Sequence, residues 1–225
     1  MKKAYLLTFF ALVTMLAATQ VRLNAYGSYV FDDGFESYYD TYDYYHGTIK
    51  GGFQYGLGVE YVVNKRYGIE VLYLRMPTTA PVTFQGGVLD PIKSRELDVV
   101  QNFILLGVQS LAQHPNGKLE GFGGLLGGAA IIDVDDPASE RNASTTEFAW
   151  GARLGVNFWA APKIGFKFQA QLLSVAQATG GGLYFGFPAP GVAVSSYSTI
   201  YQFGLGGGLV YRFGQSRPTE GIRNY

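Results

Sequence analysis

The sequence predicts an all-β protein, a transmembrane antiparallel up-and-down barrel of eight strands. Three observations carry that prediction. The amino terminus reads as a secretory leader, several stretches alternate large apolar with small or polar residues, and the links between them are short and long in turn. The last stretch, YQFGLGGGLVYRF at 201–213, shows the pattern best. Tyr201, Phe203, Leu205, Leu209, Tyr211 and Phe213 take odd positions, and Gln202, Gly204, Gly206, Gly208, Val210 and Arg212 take even ones. A period of two means a strand with two unlike faces. Its glycines do not form a phosphate loop. Leu-Val-Tyr stands where a Walker loop needs Lys-Ser/Thr, and Leu209 stands where the dinucleotide fingerprint needs its third glycine.

The chain has 225 residues, with 31 glycines, 17 tyrosines, 16 phenylalanines and no cysteine. That length suits one large barrel. Without cysteine there is no disulfide framework, thiolate metal site or lipid-anchored amino terminus. MKKAYLLTFFALVTMLAATQVRLNA opens on two lysines, runs apolar over 4–18 and turns polar before an alanine, as a signal peptide does. The apolar run falls short of the ~20 residues that a spanning helix needs. The leader is assigned to residues 1–25, with Ala18 as the rival end. Removing 1–25 takes Lys2, Lys3 and Arg22, and no acid, from 17 bases and 17 acids, leaving a net charge of −3. No basic cluster points to nucleic acid.

Seven further segments are read as strands. In 51–63, Phe53, Tyr55, Leu57, Val59 and Tyr61 alternate with Gln54, Gly56, Gly58 and Glu60. In 67–74, Tyr67, Ile69, Val71 and Tyr73 form one face, and Gly68 and Glu70 begin the other. In 146–160, Phe148, Trp150, Leu154, Val156 and Phe158 alternate with Gly151, Arg153, Gly155 and Asn157. In 163–173, Ile164, Phe166, Phe168, Ala170 and Leu172 alternate with Gly165, Lys167, Gln169 and Gln171. Segments 97–111 and 118–132 are long enough for strands but show no unbroken polar face, so their side-chain directions stay open. The first strand, about 26–34, is short. It lengthens if the leader ends at Ala18, because Arg22 and Asn24 then share a face.

Links 64–66, 112–117 and 160–162 are short, whereas 32–47, 77–96, 133–145 and 176–197 are long. Outer-membrane barrels have this asymmetry, with short periplasmic turns and long extracellular loops. The faces also suit an inverted arrangement. A soluble barrel of the lipocalin sort would turn the glycine–glutamine face to water, where glycine weakens strands. Inside a narrow barrel the same glycines make room for long neighbours. The expected luminal network is Gln54, Glu60, Glu70, Arg153, Lys167, Gln169, Gln171, Gln202 and Arg212, its charges paired because buried charges require it. Such a network is a structural plug rather than a conduit. Tyr61, Tyr67, Tyr73, Phe158, Tyr211 and Phe213 fall near segment ends, where interfacial girdles lie.

With these features the chain resembles the small Gram-negative outer-membrane β-barrel proteins of the OmpX and OmpW type, over residues 26–213. The resemblance rests on the leader, the eight alternating segments, the loop asymmetry and the final GLGGGLVYRF. That last stretch looks like the amphipathic, aromatic-ended strand read by the barrel assembly machinery. One departure is the periplasmic tail GQSRPTEGIRNY, residues 214–225, beyond Phe213. The resemblance implies a place in the bacterial outer membrane, contact with its lipid and lipopolysaccharide, and no cofactor.

The first long link, 32–47, holds five acids, five tyrosines and no lysine or arginine. Its candidates for extracellular contact are Asp32, Asp33, Glu36, Asp40, Asp43 and His46. The acids lack EF-hand spacing, and no metal is assigned. The resemblance also admits a barrel that modifies lipid A with a histidine and a serine or acid at the outer rim, for which Ser37, Asp40, Asp43 and His46 carry suitable groups. No nucleophile motif accompanies them, so no catalytic residue is assigned. His114, in QHPNG, reads as a turn residue. The apolar stretch 178–197 reads as a lid or packing element. The expected role is structural or surface-interacting, with an unidentified surface or periplasmic protein as partner. The alternatives are a narrow pore or binder of a small hydrophobic molecule, and a lipid A-modifying enzyme using His46.

Overall fold

A computed structural model describes residues 20–40, 43–84, 93–136, 141–176 and 200–213. Among them ten strands form one antiparallel sheet and no helix is present. The strands are β1 (Gln20–Val30), β2 (Asp33–Asp40), β3 (Asp43–Ile49), β4 (Gly52–Val63), β5 (Tyr67–Phe84), β6 (Lys93–Gln113), β7 (Leu119–Asp136), β8 (Arg141–Trp159), β9 (Ile164–Ala176) and β10 (Ile200–Arg212). Eight of them close in the order β1-β4-β5-β6-β7-β8-β9-β10, and β10 returns to β1 from Arg22↔Arg212 to Val30↔Gly204. The seam continues at both ends through Phe213 N–H to Val21 O (2.8 Å) and Phe31 N–H to Phe203 O (2.9 Å). This is the eight-stranded up-and-down barrel that the sequence predicts. Closure pairs the backbone around the whole ring, as hydrocarbon demands.

Three tight turns connect strands at one end. In the first, Asn64 and Lys65 both have positive φ (49° and 57°), and Arg66 N–H bonds to Val63 O at 3.1 Å. A two-residue turn with this handedness matches the twist of its flanking strands. In the second, Gly117 has φ 70° and donates to His114 O, and the His114 ring accepts from Asn116 N–H. His114 is thus a turn residue. The third closes through reciprocal bonds between Ala161 and Ile164.

Several expected boundaries need correction. The first strand reaches back at least to Gln20 rather than starting near 26: Gln20 pairs with Val62, and Arg22 pairs with Glu60 and Arg212. A cut after Ala25 would divide β1, whereas an end at Ala18 leaves the strand whole. Edman sequencing of the exported protein is expected to start no later than Gln20, and a first residue of Tyr26 would contradict this placement. The links 77–96 and 133–145 are mostly strand. β5 and β6 pair continuously from Tyr67↔Ser110 to Phe84↔Lys93, and β7 and β8 from Leu119↔Phe158 to Asp136↔Arg141. Their polar, proline-containing sequences hide the extension because these ends stand beyond the apolar belt. The link 32–47 is also paired. β2 and β3 make a hairpin, and β3 joins the far end of β5 from Tyr45↔Phe84 to Gly47↔Val82. Residues 1–19, the stretch 177–199 that covers most of the fourth link, and the tail 214–225 lie outside the described residues.

The outer wall is a belt of large apolar side chains. Leu57, Val71, Leu106, Leu125, Leu154, Phe166, Phe168, Leu205 and Leu209 all point outward, and Phe168 is 60% exposed. Tyr61, Tyr67, Phe158, Tyr211 and Phe213 ring the short-turn end, while Tyr29, Phe53, Tyr55, Tyr73, Trp150 and Tyr201 ring the other. Tyr73 therefore belongs to the far girdle. On β4 the rings at Phe53 and Tyr61 are roughly 20 Å apart along the barrel axis, given the rise and tilt of such strands, close to the ~25 Å apolar band of outer-membrane barrels. A belt of this extent around a closed barrel places it in a bilayer.

Candidate functional site

The opposite face of each strand fills the bore. Even residues of β1, β4, β5, β7 and β10 turn inward, as do odd residues of β6, β8 and β9. Near the short turns this inner face carries charge. Glu60 and Glu70 are direct partners on β4 and β5, and both are fully buried. Two carboxylates so placed repel unless cations intervene. Arg153 supplies one from β8 across the bore. Its Nη2 pairs with Glu70 Oε2 and donates to Gln109 Oε1 at 2.9 Å, and its Nη1 donates to the Tyr26 hydroxyl at 3.1 Å. Glu70 also accepts from the Tyr26 hydroxyl (2.5 Å) and from Asn24 Nδ2 (2.7 Å). Glu60 accepts from Gln109 Nε2 (2.5 Å) and lies 3.7 Å from Arg22 Nη1.

Arg22 makes the best-formed pair in the bore. Its two Nη groups donate to the two oxygens of Glu120 at 2.6 and 2.8 Å, and Asn157 Nδ2 adds a third bond to Glu120 at 2.9 Å. This two-pronged geometry is the strong form of the arginine–carboxylate contact. Lys167 has a different environment. It is buried, donates to the Tyr26 hydroxyl at 3.3 Å, and stands over the rings of Phe122 (4.7 Å) and Tyr26 (5.1 Å). Aromatic faces stabilise such an ammonium through their quadrupole. Arg212 stacks on Trp159 with its guanidinium carbon 3.8 Å from the ring centre.

Glycines shape this region. A Cβ at Gly58 would lie 2.9 Å from the carboxyl carbon of Glu70, and one at Gly68 would meet the Glu60 carboxylate and Gln109. Bare backbone on β4 and β5 leaves the space that the two glutamates occupy.

Farther from the turns the bore changes character. Gln171 donates to Gln54 at 2.5 Å across the barrel, and Gln169 donates to Gln171 at 3.2 Å. Beyond them, Leu74, Phe103, Leu105, Leu126, Ile132 and Leu173 form part of one buried apolar cluster. The polar network therefore fills only the part of the bore nearer the short turns. The rest of the plug is largely apolar, and Gln202 and Gln101 are buried beside it.

All nine luminal candidates point into the bore, with Arg212 half-buried at the mouth. Glu60, Glu70, Arg153 and Lys167 gather in one network, and the glutamines bridge above it. Sequence reasoning set Asn157 on the polar face of its strand without counting it in the network, admitted Arg22 and Asn24 only with the earlier leader end, and missed Tyr26, Gln109, Glu120 and Trp159. Arg22 and Asn24 were hidden by the leader boundary, while Tyr26 and Trp159 are aromatics that face inward. Among the extracellular candidates, Asp32 is exposed, pairs with Lys50 at 3.6 Å and accepts from Gly51 N–H at 2.8 Å. The ladder places His46 opposite Glu36, Ser37 opposite Tyr45, and Asp40 opposite Asp43. The side chains of Asp33, Glu36, Ser37, Asp40, Asp43 and His46 lie outside the described part. Among the described residues no group of three or more histidine, aspartate or glutamate side chains is gathered to hold a metal ion.

No family model matches the sequence, and no curated protein matches it. Solved structures do resemble the fold. Neisserial surface protein A (NspA) aligns with 86% of this chain and 97% of its own, with TM-score 0.57 and 13% identity. Ail, the attachment invasion locus protein of Yersinia pestis, covers 84% of this chain and 98% of its own, with TM-score 0.44 and 12% identity. The outer membrane protease OmpT of Escherichia coli covers 86% of this chain and 97% of its own, with TM-score 0.47 and 10% identity. The likeness to NspA is one of fold. The protein has the fold of a small outer-membrane β-barrel.

Proposed function

We propose that the protein is a non-conducting, non-catalytic barrel of the bacterial outer membrane that holds an acidic surface outside the cell. The observation that carries this reading is the filled bore. A charge network anchored by Glu70–Arg153 and Arg22–Glu120 occupies one half, and an apolar cluster around Phe103 occupies the other. Eight strands leave an interior that side chains alone can fill. Ions would have to break buried pairs below and enter an apolar core above, and both steps are costly.

The paired ends of β5–β8 rise past the girdle and carry Asp98, Asp133 and Asp135 into solvent, with Asp98 directly opposite Asp135. Such a rim suits contact with a cation-bearing surface partner, and lipid and lipopolysaccharide surround the wall below it. Purified barrel added to planar lipid bilayers is expected to give no steady conductance at moderate voltage. Discrete, reproducible channel steps would overturn the plugged reading and favour the pore.

A further inference from the structure

The short-turn mouth carries cations that the luminal network does not neutralise. Arg212 lies there with its guanidinium carbon 3.8 Å from the Trp159 ring centre, and its cross-strand partner Arg22 is 5.1 Å from the same ring. Arg22 commits both Nη groups to Glu120. The Arg212 side chain has no hydrogen bond or ion pair among the described residues. Three donors of this cluster are buried without an acceptor: Nε of Arg22, Nε of Arg212 and Nε1 of Trp159. Around them Lys65, Arg66, Lys118 and Lys163 are exposed on the three turns, and turn residues 64–66, 114–118 and 160–163 include no aspartate or glutamate.

Native structures rarely leave buried donors unpaired, and two neighbouring guanidiniums, of which only Arg22 is paired with carboxylates among the described residues, repel. An oxyanion answers both problems, because its several acceptor oxygens match guanidinium and indole N–H groups together. We propose that the short-turn mouth binds a phosphate-class oxyanion, held by Arg212 with the free N–H groups of Arg22 and Trp159, and drawn in by the lysines of the rim. Turn length places this mouth on the periplasmic side. The phosphate then belongs either to a phospholipid headgroup of the inner leaflet or to a free phosphate compound.

The test uses the full chain with Trp150→Phe, which leaves Trp159 as the sole tryptophan, folded in a phosphate-free non-ionic detergent. Inorganic phosphate and phosphatidylglycerol are titrated separately against chloride at matched ionic strength. A saturable change in Trp159 emission is expected with at least one of them, weakened about tenfold or more by Arg212→Gln. A response to phosphate alone identifies a free anion site, and a response to phosphatidylglycerol alone identifies a headgroup site. If Arg212→Gln fails to show heat-modifiable migration, Arg212→Lys replaces it, because lysine keeps the charge but loses the planar fork. Absence of saturation with both ligands, or equal responses in the parent and the Arg212 variant, overturns the proposal.

Discussion

Replacing Arg153 with alanine is expected to cost about 3–5 kcal/mol of unfolding free energy, the usual penalty for breaking a buried ion pair from one side. The cause is Glu70, which stays behind with a fully buried side chain. Its remaining partners, Tyr26 and Asn24, are neutral donors, and its direct cross-strand partner Glu60 carries the same charge. The control is a double variant, Arg153→Met with Glu70→Leu. It removes both charges and fills their volume, so most of the loss should return. Urea unfolding in lipid vesicles, followed by tryptophan emission, reads both effects. A single variant within about 1 kcal/mol of the parent would mean that the bore is wet enough to solvate Glu70. A double variant that loses as much as the single one would mean that the pair is not the source of the effect.

The second large effect belongs to the outer wall. Leu205→Arg is expected to destabilise the folded barrel by about 2–4 kcal/mol, as arginine does on the lipid face near the bilayer midplane. Leu205 is outward-facing and lies on β10 between Tyr201 of one girdle and Tyr211 of the other. On a water-facing wall the same exchange would stay within about 0.5 kcal/mol. Unfolding in vesicles again measures it, and a near-neutral outcome would remove lipid from that face.

The alternation that predicts these effects was legible wherever one face was apolar and the other glycine-rich or polar, as on β4, β8, β9 and β10. There the sequence signalled both the strand and its orientation. On β6 it signalled only the strand, because Phe103 and Leu105 face an apolar part of the bore while Ile104 and Leu106 face lipid. Two apolar environments on opposite sides of one strand erase the contrast on which periodicity depends. On β7 the outward residues Gly121, Gly123 and Gly127 blur it from the other direction. The partners in the network were less visible than its members. Glu70 and Arg153 could each be assigned to the bore, but their pairing depends on which strands face each other across a closed ring. Arg22 was obscured differently: an apolar leader followed by alanine describes export chemistry and is silent about where pairing starts.

The central claim is the inverted orientation, and the chain carries its own probes. Trp150 is on the outer face of β8, and Trp159 is on the inner face of the same strand. The Trp159→Phe and Trp150→Phe variants isolate each indole in turn, in vesicles of phospholipid brominated at a series of acyl depths. Trp150 emission should be quenched by lipid, with a maximum at one depth, while Trp159 should resist quenching at every depth because the barrel wall shields it. Strong quenching of Trp159 together with an unquenched Trp150 would contradict the inverted barrel.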